Sequence, residues 1–393
     1  MTWRPLIREP ALRTHILQVA RELVAHVETA RPNGMDARCD RLLVYGYLDE
    51  LVNGLEVPVD TNAALASALT AFEFNDGNTA LFGGVTRFGW TMAHLAEGDG
   101  ADRLCESLDA KLIGLLSGVW SESYDLISGL VGIGVYALER GAGGRALAVR
   151  VLEHLAALAQ QRRGGFAWHT DSRFLPAWQR AVAPRGYWNL GIAHGSAGVV
   201  ALCARYVVEG VETKLALEVL RGAMAHLLAA GPHYASWDVD GHDVQPSTRL
   251  AWCYNDLGIA ASLLRAALVD SQWLLSAVAL ARDCALRSFE AAKVENAALC
   301  HGAAGVAHIF NRMFQATGDG VLGAAAERWV DFTISSLHQP SPFERSPSRG
   351  ASSGINSSLL TGATGVALLL HSTVSEAEPL WDRLLLIDIS TRP

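Results

Sequence analysis

Several features are scarce in this sequence of 393 residues, and each absence excludes a class of protein. Only 18% of the residues are charged, the formal net charge is −8, and no run of basic residues occurs. A protein that binds nucleic acid needs a positive surface for the phosphate backbone, so we expect no nucleic-acid partner. No uncharged apolar stretch reaches 18 residues, so we do not expect an integral membrane protein.

A secretion signal and a disulfide framework are also missing. The N-terminus reads MTWRPLIREPALRTH, which lacks the cationic start and apolar stretch of a signal peptide. Six cysteines are few and scattered for a chain of this length, unlike those of a secreted disulfide scaffold. We therefore predict a soluble cytoplasmic protein whose cysteines pack in the core, bind a metal or take part in catalysis.

Apolar residues are abundant, and their spacing predicts helices. Half of the residues are apolar, with a mean hydropathy of +0.19. Apolar positions recur at i, i+3 and i+4 in several stretches: Leu12 to Val27, Ala146 to Ala159, Leu257 to Val269 and Leu322 to Leu337. Because no alternating run is long enough for a substantial sheet, we predict an all-α fold with helices in two layers. Two polar segments, 161–185 and 339–353, are predicted to be long loops.

One short pattern recurs along the chain: Gly, two residues, Gly and then an apolar stretch. Steps of 45 to 66 residues separate successive copies, and each step accommodates two helices with their loops. The length allows two or three domains, but the repeats favour a single domain over 1–393, with motifs over about 81–370. We predict six to seven helical-hairpin repeats that close into an α/α toroid. The first positions of the copies are Gly84, Gly129, Gly195, Asn255, Gly302 and Gly362.

Equivalent positions of the repeats carry residues with metal-binding chemistry. The residue five before the second glycine is Cys253 in one repeat and Cys300 in another. The next residue along the chain is His194 in one repeat and His301 in another. If the repeats form a closed ring, these side chains converge near its axis. Cys253, Cys300 and His301 then provide three ligands that suit tetrahedral zinc with one open position, as in catalytic sites.

Plainer roles remain open for these residues. A cysteine at a helix start is often a small buried hydrophobic residue, and a histidine there is often a helix cap. The shared register of Cys253 and Cys300 favours metal binding over simple burial. The remaining cysteines and several histidines are predicted to be core or surface residues: Cys39, Cys105, Cys203, Cys284, His169, His233, His242, His308 and His371.

Four segments resemble the signature blocks of the lanthionine synthetase C family, the cyclases of lantibiotic biosynthesis. The resemblance spans roughly residues 81–370 and implies an α/α toroid with one zinc ion per chain at one mouth. It implies that Cys253, Cys300 and His301 bind this zinc. The segments are SYDLISGLVGIG (Ser123 to Gly134), NLGIAHGSAG (Asn189 to Gly198), RLAWCYNDLG (Arg249 to Gly258) and ALCHGAAG (Ala298 to Gly305).

The resemblance further implies acid–base roles for His194 and Asp125 and an active-site role for Arg249. Without it, Asp125 is equally consistent with a helix cap, and Arg249 with a structural ion pair. Two residues depart from the family pattern, since Asn255 and Arg87 stand at glycine positions. Asparagine tolerates a left-handed backbone, and Arg87 lies in a repeat without a predicted ligand, so neither change argues against the site.

The implied reaction is ring formation in a peptide. A Cys thiol adds to the alkene of a dehydrated Ser or Thr, and zinc lowers the pKa of that thiol. We expect a separate dehydratase, because too few residues lie outside the repeats for such a domain. The implied partners are the dehydrated precursor peptide, this dehydratase and an export transporter complex. The protein is then expected in the cytoplasm, peripherally associated with a membrane-bound biosynthetic complex.

Three other functions remain open. A related enzyme that adds glutathione to dehydroamino acids would have the same site. A non-catalytic peptide-binding scaffold would not need His194 together with three ligands. A glycosidase of the α/α-barrel type would use a carboxylate pair such as Asp238 and Asp240, but it gives no reason for two cysteines in register.

Overall fold

Helices make up most of the structure, a computed structural model that describes residues 3–55, 60–73, 77–96, 98–240, 245–343 and 356–389. The described α-helices, numbered in chain order, are α1 (Pro10–Thr29), α2 (Gly34–Tyr47), α3 (Asp49–Val52), α4 (Thr61–Glu73), α5 (Val85–Leu95), α6 (Asp99–Leu115), α7 (Leu130–Glu139), α8 (Arg145–Leu158), α9 (Ala177–Val182), α10 (Ser196–Val208), α11 (Thr213–Ala230), α12 (Asn255–Ala267), α13 (Leu274–Leu286), α14 (Phe289–Ala292), α15 (Ala303–Thr317), α16 (Gly320–Leu337) and α17 (Ala363–Val374). The predicted all-α fold class is confirmed.

Short strands interrupt the helices in one region. They are β1 (Gln160–Arg162), β2 (Gly165–Ala167), β3 (His169–Thr170), β4 (Tyr187–Asn189) and β5 (Trp237–Asp238). β1 and β2 form an antiparallel hairpin, and β4 pairs antiparallel with both β3 and β5. The prediction that 161–185 is a long loop is therefore wrong. The sequence pattern does not reveal these strands, because two or three residues are too few to show alternation. Within 339–353, residues 344–353 lie outside the described residues, and 339–343 form neither helix nor strand.

The recurring glycine pattern marks helix starts, as predicted. The N-cap residues of α5, α7, α10, α15 and α17 are Gly84, Gly129, Gly195, Gly302 and Gly362. A Cβ atom on Gly129 would overlap the carbonyl oxygen of Ser123, and one on Gly305 would overlap that of Leu299. The loop before each helix thus lies directly against its first turn, which leaves no room for a side chain.

The two departures from the glycine pattern are accommodated differently. Asn255 takes the left-handed conformation, with φ of 64°, which asparagine tolerates better than most residues. Its Nδ2 donates hydrogen bonds to the carbonyl oxygen of Tyr234 at 3.2 Å and to Ser236 Oγ at 3.3 Å. Arg87 is buried, and its guanidinium lies 5.5 Å from the ring centroid of Phe82.

Backbone hydrogen bonds join equivalent positions of successive repeats. The positions are those five residues before the second glycine of each copy, where the sequence places Cys253 and Cys300. The register inferred from the glycine spacing is therefore a physical alignment of the repeats. The bonds run from Phe82 N–H to Ile127 O (3.0 Å), from Ala193 N–H to Cys253 O (3.3 Å) and from Cys300 N–H to Leu360 O (2.7 Å).

The described helices group into two compact units. The first comprises the described residues within 1–76, 285–382 and 388–393, and the second those within 77–284 and 383–387. In the first unit, α15 packs against α16 and α17, and α17 also packs against α1. In the second unit, α10 packs against α11 and α12, while α7 packs against α5 and α8. The expectation of a single domain over 1–393 stays a prediction.

Several helices are apolar around most of their circumference, and the structure buries them accordingly. All residues of α12 from Asn255 to Ala266 are buried, as are those of α10 from Ser196 to Tyr206. Directly before α12, the buried Trp252 donates its indole N–H to the carbonyl oxygen of Leu385 at 3.0 Å. Among the residues described, no helix is long and apolar enough to cross a membrane.

Candidate active site

His194 and Asp125 form a tight side-chain pair in the second unit. His194 immediately precedes the N-cap Gly195 of α10, and Asp125 lies in the turn before α7. The distance from His194 Nδ1 to Asp125 Oδ2 is 2.6 Å. Asp125 Oδ1 accepts hydrogen bonds from the Ser128 N–H at 2.8 Å and from Ser128 Oγ at 3.0 Å. The carboxylate therefore both stabilises the turn before a helix and fixes the orientation of the imidazole.

The charges in this pair support each other. Burial alone would raise the pKa of Asp125, but His194 and the bonds from Ser128 lower it, and the net shift is downward. Burial alone would lower the pKa of His194, but the Asp125 carboxylate raises it, and the net shift is upward. An ionised Asp125 accepts the Nδ1–H of His194, which leaves Nε2 as the ring nitrogen that can exchange a proton with a substrate.

Two tyrosines contact His194. The ring of Tyr254 stacks with that of His194 at a centroid distance of 5.9 Å and an interplanar angle of 25°. The hydroxyl of Tyr124 donates a hydrogen bond to the carbonyl oxygen of His194 at 3.1 Å. Sequence reasoning assigned no role to either residue. For Tyr254 a signal exists, because it occupies the same register position in its repeat as His194 does.

The three predicted zinc ligands come together. The Sγ atoms of Cys253 and Cys300 and a ring nitrogen of His301 all lie within 4.8 Å of one another. Cys253 is buried, and the other two residues are half-buried. Two thiolates and one imidazole are a donor set that zinc favours, and the residues therefore fit this metal.

The third predicted catalytic residue, Arg249, lies in the segment that leads to Cys253. It is half-buried, and its backbone N–H donates to Ser247 Oγ at 3.2 Å. The position four residues before a metal-ligand candidate is compatible with an active-site role. That role stays a prediction.

The carboxylates considered for a glycosidase are engaged elsewhere. Asp238 Oδ2 lies 2.9 Å from Arg162 Nη2 and 2.8 Å from Arg163 Nη1. Asp240 Oδ1 lies 3.2 Å from Arg162 Nη1. The ion pairs tie β5 to the hairpin of β1 and β2. Both carboxylates have a structural explanation in these arginine contacts.

The remaining cysteines lie in the core, as predicted for small buried residues. Cys39, Cys105, Cys203 and Cys284 are buried, and none of these four forms a disulfide bond. His308 is buried, and its Nε2 lies 2.7 Å from Asp382 Oδ2 in an internal pair. The residue His242 lies outside the described residues.

Comparison with known proteins identifies the class of this helical protein. The solved structure of nisin cyclase superimposes with a TM-score of 0.71 at 17% identity, covering 96% of this chain and 98% of that one. This likeness shows the fold, an α/α toroid, as predicted. A sequence model of lanthionine synthetase C-like proteins matches residues 40–386. The chain belongs to the lanthionine synthetase C-like family.

Proposed function

We propose that this protein is a zinc-dependent lanthionine cyclase. It would add Cys thiols of a peptide to dehydroalanine or dehydrobutyrine residues of the same peptide and so form thioether rings. The observation that carries the proposal is the gathering of the ligand atoms of Cys253, Cys300 and His301 within 4.8 Å of one another. Membership of the lanthionine synthetase C-like family and the nisin cyclase fold support it.

The acid–base pair lies beside one of these ligands. Ala193, the residue before His194, donates its N–H to the carbonyl oxygen of Cys253. Tyr254, the residue after Cys253, stacks with the His194 ring. A substrate thiol held at the cysteine ligands would therefore lie close to His194, the one group of this pair that can exchange a proton with it.

The chemistry divides between a metal and the chain's own residues. Zinc bound by Cys253, Cys300 and His301 would leave one position for a substrate thiol and lower the pKa of that thiol. His194 Nε2 would take the thiol proton, and Asp125 would stabilise the imidazolium that results. The sulfur then bonds to the β-carbon of the alkene, and the π electrons move onto the neighbouring amide carbonyl.

Completion of the reaction requires one proton at the α-carbon. The enolate formed by the attack takes this proton, so the net change is addition of S–H across the C=C bond without change in mass. His194 Nε2–H serves as the donor if it still carries the thiol proton, and the same nitrogen thus supports either step. Arg249 is our third proposed active-site residue.

The proposed substrate determines the proposed partners. Ser and Thr hydroxyls offer no electron-poor alkene, so a separate dehydratase must act on the precursor peptide first. We propose that these steps occur in the cytoplasm, with the protein peripherally associated with a membrane-bound complex that includes an export transporter.

A thiol-alkylation assay tests the activity. A synthetic peptide that contains dehydroalanine and a Cys residue is incubated with zinc-loaded protein, and free thiols are then alkylated and counted by mass spectrometry. We expect time-dependent loss of alkylatable Cys with the native protein. We expect no loss with Cys300→Ala or with a matched peptide that has Ser in place of dehydroalanine.

Two outcomes contradict the proposal in different ways. Persistent thiols on a peptide that the protein nevertheless binds would favour a binding scaffold. Addition of glutathione to the alkene, in competition with a peptide thiol that stays free, would favour the related glutathione-adding enzyme.

A further inference from the structure

An exposed apolar row lies on α9 and the 3-10 turn before it, Ser172–Phe174. Trp178 and Val182 are four residues apart on α9 and are 62% and 51% exposed, and Phe174, which ends the turn before α9, is 36% exposed. Large apolar side chains grouped on a surface mark an interaction site more often than single ones do. Leu175 and Ala183 of the same segment belong to a buried cluster with Tyr187 and Val239, and Trp237 packs against this cluster. This packing fixes the position of the segment.

Three arginines belong to the same segment of the chain. Arg173, Arg180 and Arg185 are exposed. The only acidic residue of 171–185 is Asp171, whose carboxylate accepts the backbone N–H of Arg173 at 2.9 Å. The excess of positive charge stands out in a protein with a net charge of −8. We name this feature the arginine–tryptophan surface, formed by Arg173, Phe174, Trp178, Arg180, Val182 and Arg185.

A continuous row of aromatic rings connects this surface with the candidate active site. The ring centroids of Trp178 and Trp237 are 6.0 Å apart, those of Trp237 and Tyr254 are 6.3 Å apart, and those of Tyr254 and His194 are 5.9 Å apart. These three steps amount to at most about 18 Å, which six residues of extended peptide are enough to span. A single peptide can therefore contact both Trp178 and His194.

We propose that the arginine–tryptophan surface binds an acidic segment of the peptide substrate about six residues from the reacting Cys. The arginines attract the carboxylates of the segment, and an apolar side chain of the segment packs against Trp178. Tryptophan and arginine are the residues that most often dominate the free energy of such interfaces. The inference rests on the proposed function, because it assumes that the peptide also reaches His194.

Paired synthetic peptides test the proposal. All contain the same dehydroalanine and Cys segment, followed or preceded by a six-residue spacer and a five-residue tail. The tail has four Glu residues around one Leu in the acidic peptides and four Lys residues around one Leu in the basic ones. For at least one tail position, we expect the native protein to show a KM at least tenfold lower for the acidic peptide, with a similar kcat.

Surface variants locate the preference. In the double variant Arg180→Glu with Arg185→Glu, the acidic peptide should lose its advantage in KM. Trp178→Ala should raise the KM for the acidic peptide about tenfold. All variants should convert the peptide without a tail at the native rate, which also shows that they fold. Arg103→Glu with Arg221→Glu, an equal charge change at exposed positions of α6 and α11, is the matched control and should leave the preference intact.

A binding measurement separates this inference from the proposed function. Fluorescence anisotropy of a labelled acidic tail, without the reacting segment, should show binding that weakens with added salt and in the double variant. Equal KM values for acidic and basic peptides at both tail positions would overturn the inference and leave the cyclase proposal intact. Absence of turnover with every peptide, while the labelled tail still binds at the arginine–tryptophan surface, would instead overturn the cyclase proposal.

Discussion

The substitution Asp125→Asn removes one charge from the proposed acid–base pair at almost constant size. Asp125 accepts hydrogen bonds on both oxygens, one from His194 and two from Ser128. An asparagine has only one side-chain oxygen. If that oxygen keeps the two hydrogen bonds from Ser128, no oxygen is left to accept the N–H of His194. Its amide NH₂ would then face His194 Nδ1 and favour the tautomer with the proton on Nε2. In that tautomer Nε2 cannot accept the thiol proton.

The size of the effect follows from the geometry of the pair. The 2.6 Å contact joins the buried carboxylate of Asp125 to the imidazole of His194, whose side chain is 34% exposed. A charge-assisted hydrogen bond of this kind contributes about 1.5 to 3 kcal/mol. Since about 1.4 kcal/mol corresponds to a factor of ten in rate, we expect kcat/KM to fall by about 10- to 150-fold. His194→Ala, which removes the proton acceptor itself, should cost about 100-fold or more.

The assay is the rate of thiol loss from a dehydroalanine peptide, with zinc content and circular dichroism measured on the same samples. Both variants should keep the zinc and the helical signal. Ser128→Ala is the control, because it removes one donor to Asp125 but leaves the charge and the backbone donor, so we expect less than about a tenfold loss. A native rate in Asp125→Asn would refute the proposed positioning of His194, and a native rate in His194→Ala would leave that histidine as a helix cap.

Two further predictions concern the metal and the stability of the fold. Elemental analysis should give about one zinc per chain, and Cys253→Ala or Cys300→Ala should lose most of it. Circular dichroism should change little, because apolar packing holds the helices. Full retention of zinc in both variants would contradict the proposed metal site. Burial of His226 in α11 lowers its pKa from 6.5 to about 4. Below pH 6.5 the unfolded chain therefore binds a proton at this residue more readily than the folded chain does. The free energy of unfolding should fall by up to about 3 kcal/mol as the pH is lowered to 4. His226→Gln should flatten that part of a urea-denaturation profile against pH, and an unchanged slope would contradict this assignment.

Much of the fold could be predicted because local constraints recur in the sequence. Each Gly-x-x-Gly copy reports a helix start that lies against the preceding loop, as at Gly129 and Gly305. The same spacing aligns the repeats, and this alignment was sufficient to group Cys253 with Cys300. Asn255 fitted the pattern because its left-handed backbone does what a glycine would do there.

Other features depend on contacts that no periodicity reports. Trp178 and Trp237 are 59 residues apart in the sequence, and only the fold brings their rings together. The strands β3, β4 and β5 are likewise too short to show alternation, although they hold Trp237 in place between Trp178 and Tyr254. Neither composition nor motif spacing contains this information, because it arises from tertiary packing of a non-repeated segment.

The hydrogen bonds between equivalent repeat positions separate the architecture from the chemistry. Main-chain atoms alone make these bonds, so the side chain at each position can vary without loss of the bond that aligns the repeats. The chain already shows such variety, with Ile127, Ala193, Cys253 and Leu360 in one shared register. Reactive groups can thus be gained, lost or relocated by single substitutions at these places, which makes the scaffold a versatile starting point for the evolution or engineering of new metal centres.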